Sequence, residues 1–250
     1  MTESDTLQPG RIALVTGASS GLGLATADGL LDSGLKVIFA ARNQERLERL
    51  CAERGPNALA FSLDVTDGAA VAGLLDALPE TWREIDVLVA NAGSDVGGRQ
   101  RFDEGAVADW SSTIETNVNG VVRVCHAVIP GMLARGRGHV VTIGSIAGLS
   151  TYAGGVIYSA SKYAVRAFTE GLRKDYKQDP IRITEILPGL VRTGFAAARF
   201  GGDQDKAAEF YDSFPAALTP EDIAAATLFA LEQPQHVNIA QIVVTPTGDK

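Results

Sequence analysis

Tyr158 and Lys162 are the two residues of this chain whose types and spacing point most directly to proton transfer. They lie one turn apart on a predicted helix, so both side chains share a face. A free tyrosine titrates at about pH 10, which is too high for easy proton exchange at neutral pH. A nearby ammonium stabilises the phenolate and is expected to lower that pKa. Such pairs also arise by chance on helix surfaces, so other residues must support this interpretation.

Two further polar residues can assist a reaction at Tyr158. Ser145 follows a predicted strand, and its hydroxyl can polarise a carbonyl oxygen. Asn117 lies inside a predicted helix, where asparagine is unfavourable unless its amide has a partner. The alternative for Asn117 is a hydrogen bond that only stabilises a bend. The candidate catalytic residues are Asn117, Ser145, Tyr158 and Lys162.

A glycine-rich segment follows the first predicted strand and precedes a helix. Residues 17–23 have the spacing G-x-x-x-G-x-G, which differs from the commoner G-x-G-x-x-G. Glycines allow a tight turn and let backbone amides at a helix N-terminus approach a pyrophosphate. The alternative is a strand–helix turn without a ligand. The predicted dinucleotide contacts in this segment are Gly17, Ser19, Ser20, Gly21, Leu22 and Gly23.

The end of the second predicted strand indicates which dinucleotide is bound. In NAD-binding folds of this kind, an acid at this position holds the ribose 2′-hydroxyl. This chain has no acid there and reads Ala41-Arg42-Asn43 instead. Arg42 offers a fork of donors suited to a 2′-phosphate. We therefore predict NADP, with contacts at Arg42 and Asn43; the alternative is that Arg42 is a solvated residue at a helix start.

Polar residues also follow the third and fourth predicted strands. Asp64 and Val65 close the third, and Asn91-Ala92-Gly93 close the fourth. Ligands of open parallel sheets bind at the carboxyl ends of the strands, so we expect all five residues to face the cofactor. Asp64 can instead form a turn, and Asn91 can simply brace the glycine loop.

Alternating strand and helix patterns must position these residues. Predicted strands span residues 11–16, 36–41, 58–63, 85–90, 139–144, 181–187 and 241–245, and predicted helices span 22–33, 44–54, 68–78, 107–134, 155–178 and 220–232. Several strands are apolar at consecutive positions, which is typical of a sheet covered on both faces. The predicted fold is α/β: a single-domain Rossmann fold whose doubly wound, seven-stranded parallel sheet carries helices on both faces.

We expect residues 1–10 to form a flexible segment and residues 11–250 to form the one domain. Within it, residues 189–218 lack clear periodicity and exceed a normal connection, which predicts a substrate lid. A protein of charge −8 needs a local cation to retain a small anion, and this lid contains Arg192 and Arg199. We expect them to bind an acidic substrate beside Ser145 and Tyr158, or else to be solvated or paired with lid acids.

Composition excludes several classes of partner. The 250 residues are 46% hydrophobic with a formal charge of −8, which disfavours nucleic acid and anionic membranes. No apolar run reaches membrane-spanning length, and the start lacks signal-peptide character. The two cysteines have no partner motif and the three histidines have no ligand spacing. We expect a cytoplasmic protein with a small-molecule substrate and no metal.

From Arg11 to about Thr245 the sequence resembles the short-chain dehydrogenase/reductase family. The resemblance rests on motifs in matching order, namely the glycine loop, Asn91-Ala92-Gly93, Asn117, Ser145, Tyr158 with Lys162, and Pro188-Gly189 followed by Val191 and Thr193. It implies an enzyme that moves a hydride between NADP(H) and a CH–OH or C=O group, and an assembly of two or four copies of the chain.

The resemblance also implies roles for these residues. Tyr158 would be the proton donor or acceptor, and Lys162 would bind the nicotinamide ribose and tune the tyrosine. Ser145 would hold the substrate oxygen, and Asn117 would anchor a water that carries the proton out. The carboxamide end of the cofactor would be cradled by Pro188, Gly189, Val191 and Thr193.

The substrate half is similar to the NADP-dependent 3-hydroxy acid dehydrogenase branch, as in Tyr152-Ala153-Gly154-Gly155 and His236-Val237-Asn238-Ile239. That likeness implies a small polar hydroxy or oxo acid as substrate. One alternative is a reductase of another small carbonyl, such as sulfoacetaldehyde or an uncharged ketone. Another is a non-catalytic sensor of NADP, although such a protein would not need the intact set of catalytic residues.

Overall fold

The computed structural model describes residues 6–214 and 216–247, and within them seven strands form one parallel sheet. The strands are β1 Ile12–Thr16, β2 Lys36–Ala41, β3 Ala58–Ser62, β4 Ile85–Ala90, β5 Gly138–Ile143, β6 Ile181–Pro188 and β7 Gln241–Val244. Their order across the sheet is β3-β2-β1-β4-β5-β6-β7. Strands before β4 are added on one side of β1 and later strands on the other, and this reversal of strand order between β1 and β4 opens a crevice at their carboxyl ends.

Helices cover both faces of the sheet. They are α1 Gly21–Asp32, α2 Gln44–Arg54, α3 Gly68–Ala72, α4 Leu74–Ala77, α5 Val107–Ile114, α6 Gly120–Arg135, α7 Val156–Asp175, α8 Phe195–Arg199, α9 Gln204–Asp212 and α10 Pro220–Glu232. Neighbouring residues of β1 belong to opposite cores: Leu14 packs on the α6 side, and Ala13 and Val15 pack on the α1 side. Burial on both faces explains the consecutive apolar positions, and the predicted doubly wound fold is confirmed.

The long helix predicted over residues 107–134 is interrupted by one wide turn. Residues Glu115–Asn119 form a π-helical turn between α5 and α6. Such a turn adds a residue to the helical repeat, so the face that the side chains present shifts there. Asn117 lies in this turn and is fully buried. The predicted helix over 68–78 is also divided, at Gly73, into α3 and α4.

Parts of the expected lid segment and of the N-terminal segment have defined structure. Residues 189–218 contain α8 and α9, whose five and nine residues are too short to give clear periodicity in the sequence. Thr6 is buried and accepts a hydrogen bond from Arg182 at 2.6 Å. The flexibility of residues 1–10 stays a prediction. Residues 1–5, residue 215 of the lid and residues 248–250 lie outside the described residues.

The described part of the chain bears on two further expectations, about membranes and metals. None of its helices combines the length and the apolar character needed to cross a membrane. Among the same residues, no cluster of three or more histidine, cysteine or acidic side chains has a geometry suited to a metal ion.

Candidate active site

A cleft of about 1020 Å³ extends over the carboxyl ends of the strands, from the glycine loop to α8 and α9. The candidate catalytic residues Ser145, Tyr158 and Lys162 line it. Most of the predicted cofactor contacts line it as well: Gly17, Ser19, Ser20, Gly21, Leu22, Arg42, Asn43, Asp64, Val65, Asn91, Ala92, Gly93, Pro188, Gly189, Val191 and Thr193. The fold therefore brings residues from distant parts of the chain to one place.

The glycine loop is built for close backbone packing. Gly17 has φ +69°, in the region that favours glycine, and a Cβ there would lie 2.8 Å from Asn91 Nδ2. Gly23 does not line the cleft; a Cβ on it would collide with the Gly17 carbonyl and the Asn91 amide. Asn91 Nδ2 donates to Thr16 O at 2.8 Å. Asn91 thus braces the loop and also lines the cleft, so bracing the loop does not exclude a contact with the cofactor.

The adenosine end of the cleft fits a phosphorylated ribose. Arg42 is exposed at the end of β2 and lines the cleft. Arg46, in the first turn of α2, donates from Nε to Ser19 O at 2.8 Å and adds a second guanidinium beside the loop. The sequence analysis missed Arg46, because its contact with the glycine loop spans 27 residues and leaves no local signal. Asn43 accepts from Arg46 N at 2.9 Å and caps α2.

Asp64 also has two roles in the structure. Its Oδ1 accepts from Thr66 N at 2.9 Å and from Thr66 Oγ1 at 2.7 Å, which forms a turn after β3. Asp64 and its neighbour Val65 nevertheless line the cleft. The turn therefore fixes the orientation of a residue that can still meet the cofactor.

Ser145, Tyr158 and Lys162 come from two adjacent elements. Ser145 follows β5, is almost buried and accepts from Ala147 N at 3.1 Å. Tyr158 and Lys162 lie on α7, with Lys162 Nζ 5.7 Å from the centre of the tyrosine ring. Lys162 is 6% exposed and donates to Ile143 O at 2.9 Å. Its ammonium is thus fixed at the cleft by the last residue of β5, the strand that precedes Ser145.

Burial governs the proton affinities of this pair. It raises the pKa of Tyr158, and the Ser145 hydroxyl and the Arg199 guanidinium oppose that rise. Burial also lowers the pKa of Lys162 to about 8, against the opposing charges of Glu185 and Asp95. The expectation that the lysine lowers the tyrosine pKa is not met in the protein alone, because the loss of hydration outweighs the charges nearby.

Asn117 does not line the cleft but is hydrogen-bonded to two segments that form the site. Its Oδ1 accepts from Ser94 N at 2.7 Å, and its Nδ2 donates to Ser94 O at 2.8 Å and to Ser161 Oγ at 3.0 Å. Ser161 Oγ in turn donates to Tyr158 O at 2.7 Å. The side chain therefore joins the loop after β4 to the α7 turn that carries Tyr158. Its amide does not line the cleft, and the proposed water contact stays a prediction.

The two lid arginines have different surroundings. Arg199 is 8% exposed, its Nε lies 2.6 Å from Asp95 Oδ2, and its guanidinium lies 5.7 Å from the Tyr158 ring centre. Arg192 is exposed, lies 3.3 Å from Asp212 Oδ1 and does not line the cleft. Both residues thus pair with an acid: the partner of Arg192 belongs to the lid, as the alternative foresaw, whereas the partner of Arg199 lies in the loop after β4. Arg192 has no support here as a substrate contact.

Three residues at or beside the cleft escaped the sequence analysis: Arg99 and Phe210 line it, and Asp95 does not line it but pairs with Arg199, which does. Arg99 and Asp95 lie in the loop after β4, and Phe210 lies on α9. The only local signal for Arg99 and Asp95 was their position shortly after Asn91-Ala92-Gly93. Their partners, Tyr152 for Arg99 and Arg199 for Asp95, are distant in sequence, so no spacing rule could reveal them.

The fold and the site together define a Rossmann-type oxidoreductase that uses a dinucleotide. A family model described as short chain dehydrogenase matches residues 11–203, and the chain belongs to that family. The family resemblance drawn from the motifs is thereby confirmed.

Relatives and solved structures extend the likeness over nearly the whole chain. The chain is 44% identical over 236 residues to NADP-dependent 3-hydroxy acid dehydrogenase YdfG of Salmonella typhi, covering 94% of each. It is 39% identical over 240 residues to sulfoacetaldehyde reductase 2 of Chromohalobacter salexigens, again covering 94% of each. A solved closed form of serine dehydrogenase complexed with NADP+ superposes with a TM-score of 0.93 at 42% identity, covering 96% of each chain.

These findings establish the class of activity. The protein is an NADP-dependent oxidoreductase acting on a CH–OH or C=O group. The predicted cofactor is confirmed, and the residues present fit it: backbone amides at the start of α1, no acid at the end of β2, and Arg42 at the cleft wall.

Proposed function

We propose that this protein interconverts a small polar hydroxy acid, such as a 3-hydroxy acid, and the corresponding oxo acid. The observation that carries the proposal is that arginine side chains, Arg99 and Arg199, line the same cleft as Ser145 and Tyr158. In a protein of charge −8, such cations serve to retain an anionic substrate. The names of the relatives, a 3-hydroxy acid dehydrogenase and a sulfoacetaldehyde reductase, support an acidic substrate.

In the proposed mechanism, NADP(H) supplies or accepts the hydride at the carbinol carbon. During reduction, Tyr158 Oη donates its proton to the substrate oxygen and becomes a phenolate; during oxidation the phenolate accepts the proton of the substrate hydroxyl. The raised pKa of Tyr158 keeps it protonated, which suits donation. The Ser145 hydroxyl donates a hydrogen bond to the same oxygen and stabilises the charge that develops there.

Two residues support that proton transfer. Lys162 would bind the nicotinamide ribose, and its pKa of about 8 lets it exchange protons near neutral pH. Asn117 fixes the loop after β4 relative to α7, and so positions Tyr158. Asn117 is therefore a positioning residue by its side-chain contacts.

Two other functions remain as alternatives. A reductase of sulfoacetaldehyde or of an uncharged ketone would use the same proton transfer, and the sulfoacetaldehyde reductase relative favours the first of these. A sensor of NADP would need the cofactor end of the cleft but not Tyr158 and Ser145. The presence of both residues in the cleft disfavours it.

A panel of small alcohols tests the proposed function. Purified protein with NADP+ is offered 3-hydroxypropionate, serine, isethionate, the methyl ester of 3-hydroxypropionate and 2-butanol, and NADPH absorbance is followed. We expect the highest kcat/KM for a hydroxy acid. Equal or better use of the ester or 2-butanol would refute an acidic substrate, and no turnover of any compound would favour the sensor.

The preference for NADP is predicted to depend on Arg42. Replacing Ala41 by Asp and Arg42 by Ser introduces a carboxylate and removes a guanidinium where the 2′-phosphate would lie. We expect the affinity for NADPH to fall tens-fold, because the loss of one charge-assisted hydrogen-bonded contact weakens binding by about that factor. The affinity for NADH should rise. Binding is measured by NADPH and NADH fluorescence, with Arg49→Ser on the same helix as the control. Unchanged preference in the double variant would show that Arg42 does not select the cofactor.

Assembly and location complete the proposal. We propose a cytoplasmic homodimer or homotetramer, supported by the family resemblance for the assembly. For the location, the support is that Cys51 and Cys125 are both free and buried, which suits a reducing compartment.

A further inference from the structure

Four cationic side chains line the cleft in the described part of the chain. Three of them lie at the cofactor end or are held by a protein group. Arg42 lies at the cofactor end, after β2. Lys162 is held by Ile143 O behind Tyr158. Arg199 lies against Asp95, and both side chains are 7% exposed. A buried carboxylate at 2.6 Å neutralises most of the field that Arg199 would otherwise exert on a substrate.

Arg99 is the fourth cation, and it has no such partner. Within residues 6–214 and 216–247, no carboxylate lies within 4 Å of its guanidinium. The group lies instead between two aromatic rings, 4.4 Å from the centre of Tyr152 and 5.2 Å from that of Phe210. One donor of the guanidinium hydrogen-bonds the Tyr152 hydroxyl. Contact with aromatic faces uses no further donor, so the remaining N–H groups at its edge are available to a ligand.

Three segments of the chain meet at Arg99 and fix its place. Gly154, at φ +76°, packs on its backbone so closely that a Cβ would lie 3.4 Å from Arg99 C. A Cβ on the preceding residue, Gly98, would lie 3.0 Å from Arg199 O, so the backbone of this loop also packs against α8. Phe210 comes from α9, in the lid segment. The loop after β4, the segment before α7 and the lid therefore position this guanidinium together.

Arg99 is also linked to Tyr158 by a series of side-chain contacts. The Phe210 ring contacts both guanidinium groups: that of Arg99 lies 5.2 Å from the ring centre and that of Arg199 lies 5.5 Å from it. Arg199 in turn lies 5.7 Å from the ring centre of Tyr158. Three successive contacts thus link Arg99 to the catalytic tyrosine, through Phe210 and Arg199, and Arg99 lines the same cleft. That arrangement suits a short substrate whose anionic group points away from the carbinol.

We infer that Arg99, rather than Arg199 or Arg192, binds the terminal oxyanion of the substrate, a carboxylate or sulfonate, and that it determines the preference for acids. The inference rests on the proposed function. Asp95 has the complementary role: by pairing with Arg199 it leaves Arg99 as the cation that an acid can neutralise. A planar fork matches both oxyanions, so the shared chemistry is recognition of a terminal group of two or three oxygens.

The test compares acids with a neutral analogue in matched variants. Arg99→Met removes the charge, Arg99→Lys keeps it without the fork, and Arg101→Met is the control two residues along the same loop, where Arg101 pairs with Asp103 outside the cleft. Each protein is assayed with 3-hydroxypropionate, isethionate and the methyl ester of 3-hydroxypropionate. The parent's ratio of 3-hydroxypropionate to isethionate shows which oxyanion the site takes.

We expect Arg99→Met to lower kcat/KM for the preferred acid on the order of 10- to 100-fold, mainly through KM. Turnover of the ester should change by less than about threefold, Arg99→Lys should recover part of the loss, and Arg101→Met should match the parent. A second arm replaces Asp95 by Asn and Arg199 by Gln together, so that no buried charge is left unpaired. The inference is overturned if Arg99→Met keeps the acid preference, or if the double variant alone removes it. A parent without any acid preference would instead refute the proposed function.

Discussion

Tyr158→Phe is expected to lower turnover by a factor on the order of 10²–10⁴, the usual contribution of a positioned acid or base. The substitution removes only the hydroxyl, and the ring still packs beside Phe195, with ring centres 5.8 Å apart in the parent. Because Lys162 and the glycine loop are unchanged, NADPH should bind within a few-fold of the parent affinity. Steady-state kcat and NADPH fluorescence measure the two quantities separately.

Tyr163→Phe is the matched control for this variant. Tyr163 lies on the same helix and does not line the cleft; its hydroxyl donates to Leu149 O at 2.6 Å. We expect it to keep nearly full turnover. If Tyr158→Phe retained more than about a tenth of the parent kcat, another group would have to supply the proton, and the role proposed for Tyr158 would be wrong.

The strands could be predicted closely because their signal is local. Runs such as β2 and β4 are apolar at consecutive positions, and burial on both faces follows directly. The cofactor end of the cleft was accessible for the same reason, since the glycine loop and Arg42 lie at the ends of recognisable strands. Topology then places the carboxyl ends of parallel strands at one edge.

The substrate end could not be predicted because its contacts are long-range. The π-helical turn that buries Asn117 changes the helical repeat by one residue, which leaves no periodic signal in the sequence. Arg192 and Arg199 looked equivalent in a segment without clear periodicity, yet one is exposed and the other buried against Asp95. That pair joins the lid to the loop after β4, so only the folded chain distinguishes the two arginines.

Lys162→Met is expected to change activity and stability in opposite directions. Turnover near pH 7 should fall about 100-fold or more, since Lys162 is proposed to bind the ribose and exchange protons with Tyr158. The free energy of unfolding near pH 7 should rise, because the parent buries an ammonium whose pKa is lowered from 10.5 to about 8. Glu185, whose pKa burial already raises, can take up a proton when that ammonium is removed.

The pH dependence of this stability difference identifies its cause. Below about pH 8 the lysine is charged in both the folded and the unfolded chain, so the full cost of burial is present. Between about pH 8 and 10.5 the folded state releases its proton first, and the cost decreases as the pH rises. The advantage of the variant should therefore shrink across that window, by about 3 kcal/mol for a shift of this size.

Urea unfolding of the parent, Lys162→Met and the control Lys174→Met at several pH values from 7 to 10 measures this difference. Lys174 lies three turns along the same helix, is 73% exposed and pairs with Glu170, so its replacement should give a small, nearly pH-independent change. A Lys162→Met variant that is less stable than the parent near pH 7, or whose stability difference does not vary with pH, would contradict the buried-charge account. Loss of turnover together with a gain in stability would mean that the protein maintains a strained, desolvated ammonium for its chemistry rather than for its fold.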